Sequence, residues 1–187
     1  MYKLVVGLGN PGAKYDGTRH NVGFDVLNYL AKKLGAPAPR SKHEGQLSTV
    51  DIGSTKLMLL WPLTFMNLSG RCVKPIVNFY KIDIHSNLLV TCDDLSLPLG
   101  KLRIRTKGSA GGQKGLADIL QSLGSQEIPR LRIGIDPTPP QWETADYVLS
   151  RFRKEEKEMV DIAVATAADA IVDWCDHDIA HSMNRFN

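Results

Sequence analysis

The sequence has little of the features that mark secreted, membrane-spanning or repetitive proteins. Its three cysteines, Cys72, Cys92 and Cys175, are far apart and form no Cys-x-x-Cys pair, which favours a reducing compartment over a disulfide framework. No run approaches the roughly 18 apolar residues that a membrane span needs. The first residues lead directly into a predicted strand, which leaves no room for a signal peptide. We therefore expect a cytoplasmic protein.

The chain also lacks a strong charge of either sign. Its 23 Lys and Arg against 20 Asp and Glu give a net charge of +3, which does not by itself indicate a nucleic-acid partner. Internal repeats and low-complexity segments are absent as well. With 43% hydrophobic residues, 187 residues can build one substantial core. We predict a single domain over residues 1–187.

Short apolar runs alternate with amphipathic segments along the chain. The runs predict strands at 2–8, 46–52, 56–61, 88–92, 99–107 and 131–135. Helices are predicted at 21–34 with Asn21 as N-cap, from a capping Ser69 with Pro75 kinking or delaying the helix, at 116–123 and at 153–174. In the last helix the residues predicted to face inward are Met159, Ile162, Ala163, Thr166, Ala170 and Trp174. Interleaved strands and helices predict an α/β domain with a mixed, twisted sheet flanked by helices.

Residues 7–12, GLGNPG, match the G-x-G-x-x-G pattern of dinucleotide-binding loops. Such a loop must open a helix at once so that the helix N-terminus faces the pyrophosphate. Here Pro11 removes a backbone donor, and the next helix is not predicted before Asn21. A tight turn explains the glycines. It does not explain Asn10, which lies at the carboxyl end of a strand, where α/β sheets place ligands.

His20 ends the same loop, and Asp93 and Asp94 end the strand at 88–92. A lone histidine is more often structural, and paired carboxylates often begin a turn. Alternatively, a carboxylate holds a neutral imidazole in the tautomer that can accept a proton. The chain has no G-x-S-x-G nucleophile motif, so this pair favours activation of water. The other histidines show no metal spacing, and residues 176–178 are interpreted as a solvated helix end.

Basic residues alternate with apolar ones at 101–107. Period two places Leu102 and Ile104 on one face and four cations on the other. Arg130 and Arg132 repeat the pattern around Leu131. Two neighbouring strands with basic residues on one face favour a phosphate-binding surface over a face that is merely solvated.

Several of these segments occur together in one known family. The segments 7–12 (GLGNPG), 18–23 (TRHNVG), 62–70 (PLTFMNLSG), 93–100 (DDLSLPLG) and 130–135 (RLRIGI) resemble those of the bacterial-type peptidyl-tRNA hydrolases, in order and over essentially the whole chain. The resemblance implies a monomeric mixed-sheet α/β domain that hydrolyses the ester between a peptide and the 3′ ribose of tRNA, with no metal or organic cofactor and no membrane partner.

The resemblance also implies roles for individual residues. His20 would be the general base, Asp93 would stabilise its proton-accepting form, and Asn10 would distinguish a blocked aminoacyl group from a free one. The implied contacts to the tRNA substrate are Tyr15, Phe65, Met66, Asn67, Arg103, Arg105, Arg132 and Lys114.

One segment departs from the family pattern. Residues 111–115 are GGQKG where the family usually has Gly-Gly-His-Asn-Gly, so Gln113 and Lys114 replace a histidine and an amide. The main alternative is a non-catalytic RNA-binding relative on the same fold, such as a splicing cofactor. The basic faces of the two strands would serve that protein equally well. A nucleotide-dependent enzyme is the third possibility.

Overall fold

The computed structural model describes all 187 residues and contains one sheet of seven strands. The strands are β1 (Tyr2–Gly7), β2 (Arg40–Lys42), β3 (Gly45–Ile52), β4 (Thr55–Pro62), β5 (Leu88–Asp94), β6 (Leu102–Arg105) and β7 (Arg130–Gly134). Their order across the sheet is β2-β3-β4-β1-β5-β7-β6. The strands predicted at 46–52 and 56–61 are the antiparallel pair of β3 and β4.

The four central strands, β4, β1, β5 and β7, are parallel to their neighbours. Towards the edges β3 is antiparallel to β4, β2 to β3, and β6 to β7. The sheet is therefore mixed, as predicted. Because parallel strands end on the same side, the carboxyl ends of β1, β5 and β7 meet at one edge of the sheet.

Six helices cover the two faces of the sheet: α1 (Val22–Lys33), α2 (Ser69–Tyr80), α3 (Lys114–Leu123), α4 (Thr144–Leu149), α5 (Lys157–Asp176) and α6 (Ile179–Phe186). Alternation along β1 divides the core. Val5 packs with 22 other buried residues beneath α1 and α5, whereas Leu4 and Val6 belong to a cluster of 19 beneath α2 and α3. No helix is both long and apolar enough to cross a membrane.

The inward face of α5 differs from the prediction. Met159 and Ile162 are 52% and 61% exposed, and Val160 and Val164 are buried in their place. The helix starts at Lys157, after a short 3₁₀ turn at Lys154–Glu156, rather than at residue 153. Many of its buried residues are alanines, so the large side chains alone did not identify the face that packs.

Neither of the two predicted helix caps makes a side-chain capping bond. Asn21 occupies the N-cap position of α1 as predicted, but its side chain does not bond to that helix. Helix α2 begins at Ser69 itself, whose hydroxyl donates to the carbonyl of Met66. Pro75 does not delay α2, which runs from Ser69 to Tyr80. Strand β2 and the short helices α4 and α6 were not predicted. The 3–8 residues of each are too few to show a periodicity.

The side chain of Asn187 lies against the outer edge of β6. Its Oδ1 accepts from the backbone N–H of Ile104 at 2.6 Å, and its Nδ2 donates to the carbonyl of Ile104 at 3.2 Å. One side-chain amide thus forms hydrogen bonds with both the backbone N–H and the backbone carbonyl of a residue in an edge strand.

Candidate active site

Asn10 follows the carboxyl end of β1 and is held from two sides. Asn21 accepts from its backbone N–H at 2.9 Å and donates to its carbonyl at 3.0 Å. The side-chain oxygen of Asn10 accepts from the backbone N–H of Met66 at 2.8 Å. This bond fixes the orientation of the amide, so that its NH₂ group has no protein partner and is left to donate to a ligand. The side chain of Asn21 therefore positions Asn10 instead of making a capping bond to α1.

The loop after Asn10 does not form a nucleotide-binding turn. It leads into a single 3₁₀ turn at Ala13–Tyr15, and α1 begins only at Val22. No helix N-terminus follows the glycines directly, as a bound pyrophosphate would require.

His20 and Asp93 form a close pair. His20 lies in a 3₁₀ turn, Arg19–Asn21, and its Nδ1 is 2.8 Å from Oδ2 of Asp93, within β5. The His20 side chain is 12% exposed and that of Asp93 is 4% exposed. A carboxylate at Nδ1 favours the tautomer that carries its proton there, and leaves the lone pair on Nε2 free to accept a proton.

Gln113 completes this pair, although its role was not predicted from the sequence. Its Nε2 donates to Oδ1 of Asp93 at 3.0 Å, so each oxygen of that carboxylate has one partner. Its Oε1 accepts from the backbone N–H of Leu116 at 2.7 Å, which makes Gln113 the N-cap of α3. The only signal in the sequence was its place just before a helix in a glycine-rich segment.

Arg19 anchors the turn that carries His20. Its guanidinium lies between the rings of Tyr147 and Phe152, 4.5 and 4.9 Å from their centroids. It also donates to both carboxylate oxygens of Glu156, at 2.8 and 3.1 Å. The backbone N–H of Arg19 donates to the carbonyl of Ser150 at 2.9 Å. The segment around α4 therefore holds the residue that precedes His20.

A cavity of about 690 Å³ opens over these groups. This volume is typical of small-ligand sites. His20, Asn10, Asp93 and Gln113 line it, together with Phe65, Met66 and Asn67 from the segment between β4 and α2. Phe65 and Asn67 are exposed. An apolar wall is formed by Leu95 and by Ala145, Val148 and Leu149 of α4.

Two cations, Lys114 and Arg132, lie at the rim of the same cavity. Lys114 is exposed in the first turn of α3. Arg132 is partly exposed, and its Nε is 2.9 Å from Oδ2 of Asp94. A side chain at Gly111, which has a φ of 59°, would collide with the Arg132 guanidinium. The glycine therefore allows the loop to pass close to this arginine.

Three other predicted binding residues do not line the cavity: Tyr15, Arg103 and Arg105. Tyr15 lies in the 3₁₀ turn at Ala13–Tyr15, with the Lys14 ammonium 4.8 Å from its ring centroid. Arg103 lies opposite Arg132 in the pairing of β6 with β7, and Arg105 lies opposite Arg130. Both arginines are partly buried and continue the basic face away from the cavity.

Arg130 is not part of a phosphate-binding surface, contrary to prediction. It is 2% exposed, and its guanidinium donates to the backbone carbonyls of Gly108, Ser109, Gln126 and Ile128. Burial lowers the pKa of this guanidinium. Arg130 instead fixes the start of the glycine-rich segment that leads to α3.

Comparisons with known proteins agree over the whole chain. The family model "Peptidyl-tRNA hydrolase" matches residues 4–187. The peptidyl-tRNA hydrolase of Rhodopirellula baltica is 46% identical over 185 residues, covering 99% of this chain and 97% of that protein. That of a Thermoanaerobacter species is 47% identical over 187 residues and all of both chains.

The solved structures show the same relation. The crystal structure of the Acinetobacter baumannii peptidyl-tRNA hydrolase is similar with a TM-score of 0.91 at 34% identity, covering 100% of this chain and 94% of that one. A 5′-methylthioadenosine nucleosidase from Arabidopsis thaliana has a TM-score of 0.51 at 9% identity, covering 91% of this chain and 95% of that one. The second likeness concerns the fold alone.

Proposed function

The chain belongs to the peptidyl-tRNA hydrolase family, and we propose that it hydrolyses peptidyl-tRNA with His20 as the general base. The reaction cleaves the ester between the peptide and the 3′ ribose of tRNA. The observation that carries the proposed role is the 2.8 Å contact between His20 and Asp93 beside a cavity that also holds Asn10. The family and the structural relatives do not favour the alternative of a non-catalytic RNA-binding protein.

In this mechanism the nucleophile is water. Nε2 of His20 takes a proton from the water as its oxygen attacks the ester carbonyl, and Asp93 stabilises the imidazolium that forms. The free NH₂ group of Asn10 donates to the substrate. An amide aimed at a developing oxyanion is typically worth about 10²–10³ in rate. The imidazolium then protonates the departing 3′ oxygen, which leaves a peptide acid and a free tRNA end.

The thiols of the chain are poor candidates for a competing nucleophile. All three cysteines are buried, and burial raises the pKa of Cys72 and of Cys175 to about 12. Burial also raises the pKa of Cys92, which directly precedes Asp93. Thiols with such pKa values carry almost no thiolate near neutral pH.

Binding of the tRNA end is divided among the remaining residues. Phe65, Met66 and Asn67 contact the acylated 3′ end beside His20, and Tyr15 contributes from the neighbouring turn. The cations Lys114, Arg132, Arg103 and Arg105 bind phosphates of the tRNA. Because the substrate is a product of translation, we also propose that the chain acts in the cytoplasm, as a monomer and without a metal in the reaction.

The test compares an N-acetylated aminoacyl-tRNA with the free aminoacyl-tRNA as substrates of the purified protein. The wild type should release the N-acetylamino acid from the blocked substrate and leave the free aminoacyl-tRNA intact. His20→Ala should fold normally and lose nearly all turnover, whereas His85→Ala, at an exposed histidine outside the cavity, should keep it. Near wild-type turnover by a folded His20→Ala variant would overturn the assignment of the base.

A further inference from the structure

A second group of polar side chains lies at the junction of α5 and α6. The side chains of Asp173, His177 and His181 place one ligand atom each within 4.8 Å of one another. The junction packs against the amino end of the sheet, because Lys3 of β1 donates to the carbonyls of Trp174 and His177. None of these residues lines the catalytic cavity at the carboxyl edge.

Both imidazoles use Nδ1 to contact Asp173. Nδ1 of His181 is 3.0 Å from Oδ2 of the carboxylate, and Nδ1 of His177 is 3.2 Å from the Asp173 carbonyl. An acceptor at Nδ1 favours the tautomer that carries its proton there. In each ring Nε2 then keeps a free lone pair, which is the form in which histidine binds metals.

The two rings stack against each other. Their centroids are 4.1 Å apart and their planes differ by 17°, so the two rings lie face to face. The side chains of His177 and His181 are 50% and 48% exposed. Half-exposed rings can tilt to bring both nitrogens to the 2.0–2.1 Å that a zinc ion requires.

The charges around the pair favour a cation. Asp173, Asp176 and Asp178 carry three negative charges, against the positive charges of Lys3 and Arg185. The Asp173 carboxylate accepts hydrogen bonds from Ser182 and Arg185 and contacts Nδ1 of His181. It can therefore orient the imidazoles without serving as a ligand itself.

We propose that Nε2 of His177 and Nε2 of His181 bind a divalent late first-row transition metal, zinc in the first instance, with water completing the coordination. The expectation of a merely solvated helix end at 176–178 overlooked this pair, because one residue precedes α6 and the other lies within it. Bound metal would connect the end of α5 to α6. The proposal is independent of the ester hydrolysis and of His20.

The first experiment titrates zinc chloride into the full chain by calorimetry at about pH 7–8, because protons compete with metal ions for histidine nitrogens. The wild type should bind one equivalent and melt at a higher temperature with zinc, because the ion binds the folded state. His177→Ala and His181→Ala should each weaken binding about tenfold or more, and the double variant should not bind. His85→Ala is the matched control and should bind as the wild type does.

A second variant keeps the test independent of the histidines. Arg185 donates to Oδ1 of Asp173 at 2.7 Å and places a positive charge beside the site. Arg185→Gln should therefore bind zinc several-fold more tightly than the wild type. Absence of saturable binding at millimolar zinc would overturn the proposal. So would one-equivalent binding that survives in the double histidine variant.

Discussion

At the scale of single residues, one amide connects the pair of His20 and Asp93 to a helix. Gln113 donates to Asp93 and accepts from the first turn of α3, so the position of the carboxylate depends on where the helix begins. The family usually has histidine here. The glutamine of this chain provides both a donor and an acceptor, which lets it cap the helix and hold the carboxylate at the same time.

Gln113→Asn should separate these two contributions. Asparagine is a good N-cap but is one methylene shorter, so it retains the cap and loses the contact with Asp93. We expect nearly unchanged stability and about a tenfold lower kcat, since the imidazole is less well oriented. Without the hydrogen bond from residue 113, the negative charge of Asp93 would interact with His20 alone. The acid limb of the pH–rate profile should therefore move to higher pH.

Gln113→Ala should lose the cap as well and be destabilised by about 1 kcal/mol. The control is Gln121→Ala, at an exposed position of α3. If Gln113→Asn showed the wild-type pH–rate profile, Gln113 would have no positioning role.

The sequence supported the prediction of some site residues better than others. Asn10 and Asp93 could be placed together because both lie at carboxyl ends of strands, which the topology brings to one edge. The contact between Gln113 and Asp93 spans 20 residues, and nothing local indicates it. The burial of Arg130 was missed for a similar reason. Period two places it on the same face as Arg132, but the loop at 108–109 covers only the first of the two arginines.

At the scale of elements, α4 serves both the cavity and the turn that carries His20. Val148 and Leu149 form part of the apolar wall, and the residues on either side of them hold Arg19. Glu156 is the anion of this assembly and also accepts from the backbone N–H of Arg153. A substitution at Glu156 should therefore alter the position of His20, although Glu156 does not line the cavity.

Glu156→Gln leaves the buried guanidinium of Arg19 without its counter-charge. A protein that loses one partner of a buried ion pair is strongly destabilised. Because glutamine retains some hydrogen bonding, we expect the free energy of unfolding, measured by chemical denaturation, to fall by about 2–4 kcal/mol. The value of kcat/KM should fall under conditions in which the variant remains folded. Glu155→Gln, at an exposed neighbour, is the matched control and should be neutral.

The pH dependence of stability gives a second test of the ion pair between Arg19 and Glu156. Burial acts to raise the pKa of Glu156, but hydrogen bonds from Arg153 and Arg19 bring it below its ordinary value of 4.5. The stabilisation is therefore complete above that value and is lost as the pH falls through the lower, folded-state pKa. The stability difference between wild type and Glu156→Gln should shrink in acid. A difference that did not depend on pH would contradict the ion pair.

Short elements limited the prediction of the fold. The parallel strands and α1, α2 and α3 follow from clear periodicity, whereas α4 has six residues and follows a proline-rich loop. Its place is set by the contacts of Tyr147 with Ile135 and Arg19. The apolar wall of the cavity therefore could not be predicted, although Asn10, His20 and Asp93, which face it, could.

At the scale of the whole molecule, the modest net charge of +3 conceals an uneven distribution. Lys114 and Arg132 lie at the cavity rim, and Arg103 and Arg105 continue from it along the edge strand. A tRNA that enters the cavity would meet these cations together. Its binding should therefore depend on salt more strongly than the net charge suggests.

The double variant Arg105→Ala, Arg132→Ala should bind tRNA more weakly, and its log–log salt slope should be shallower by about 1–2, because each phosphate contact contributes about 0.7–0.9. Lys114→Glu should also weaken binding, through repulsion. Lys32→Gln, at an exposed position near the end of α1, is the control. Unchanged affinity and slope in the double variant would show that the basic face does not meet the tRNA.

The amide of Asn187 bears on how the molecule behaves at high concentration. The edge of a sheet is a template onto which another chain can add a strand, and β6 is such an edge. Asn187 occupies the N–H and the carbonyl of Ile104, near the middle of a four-residue strand. An incoming strand would first have to displace it. A single side chain thereby blocks the addition of a strand at β6, the strand that carries Arg103 and Arg105, which we propose to bind tRNA.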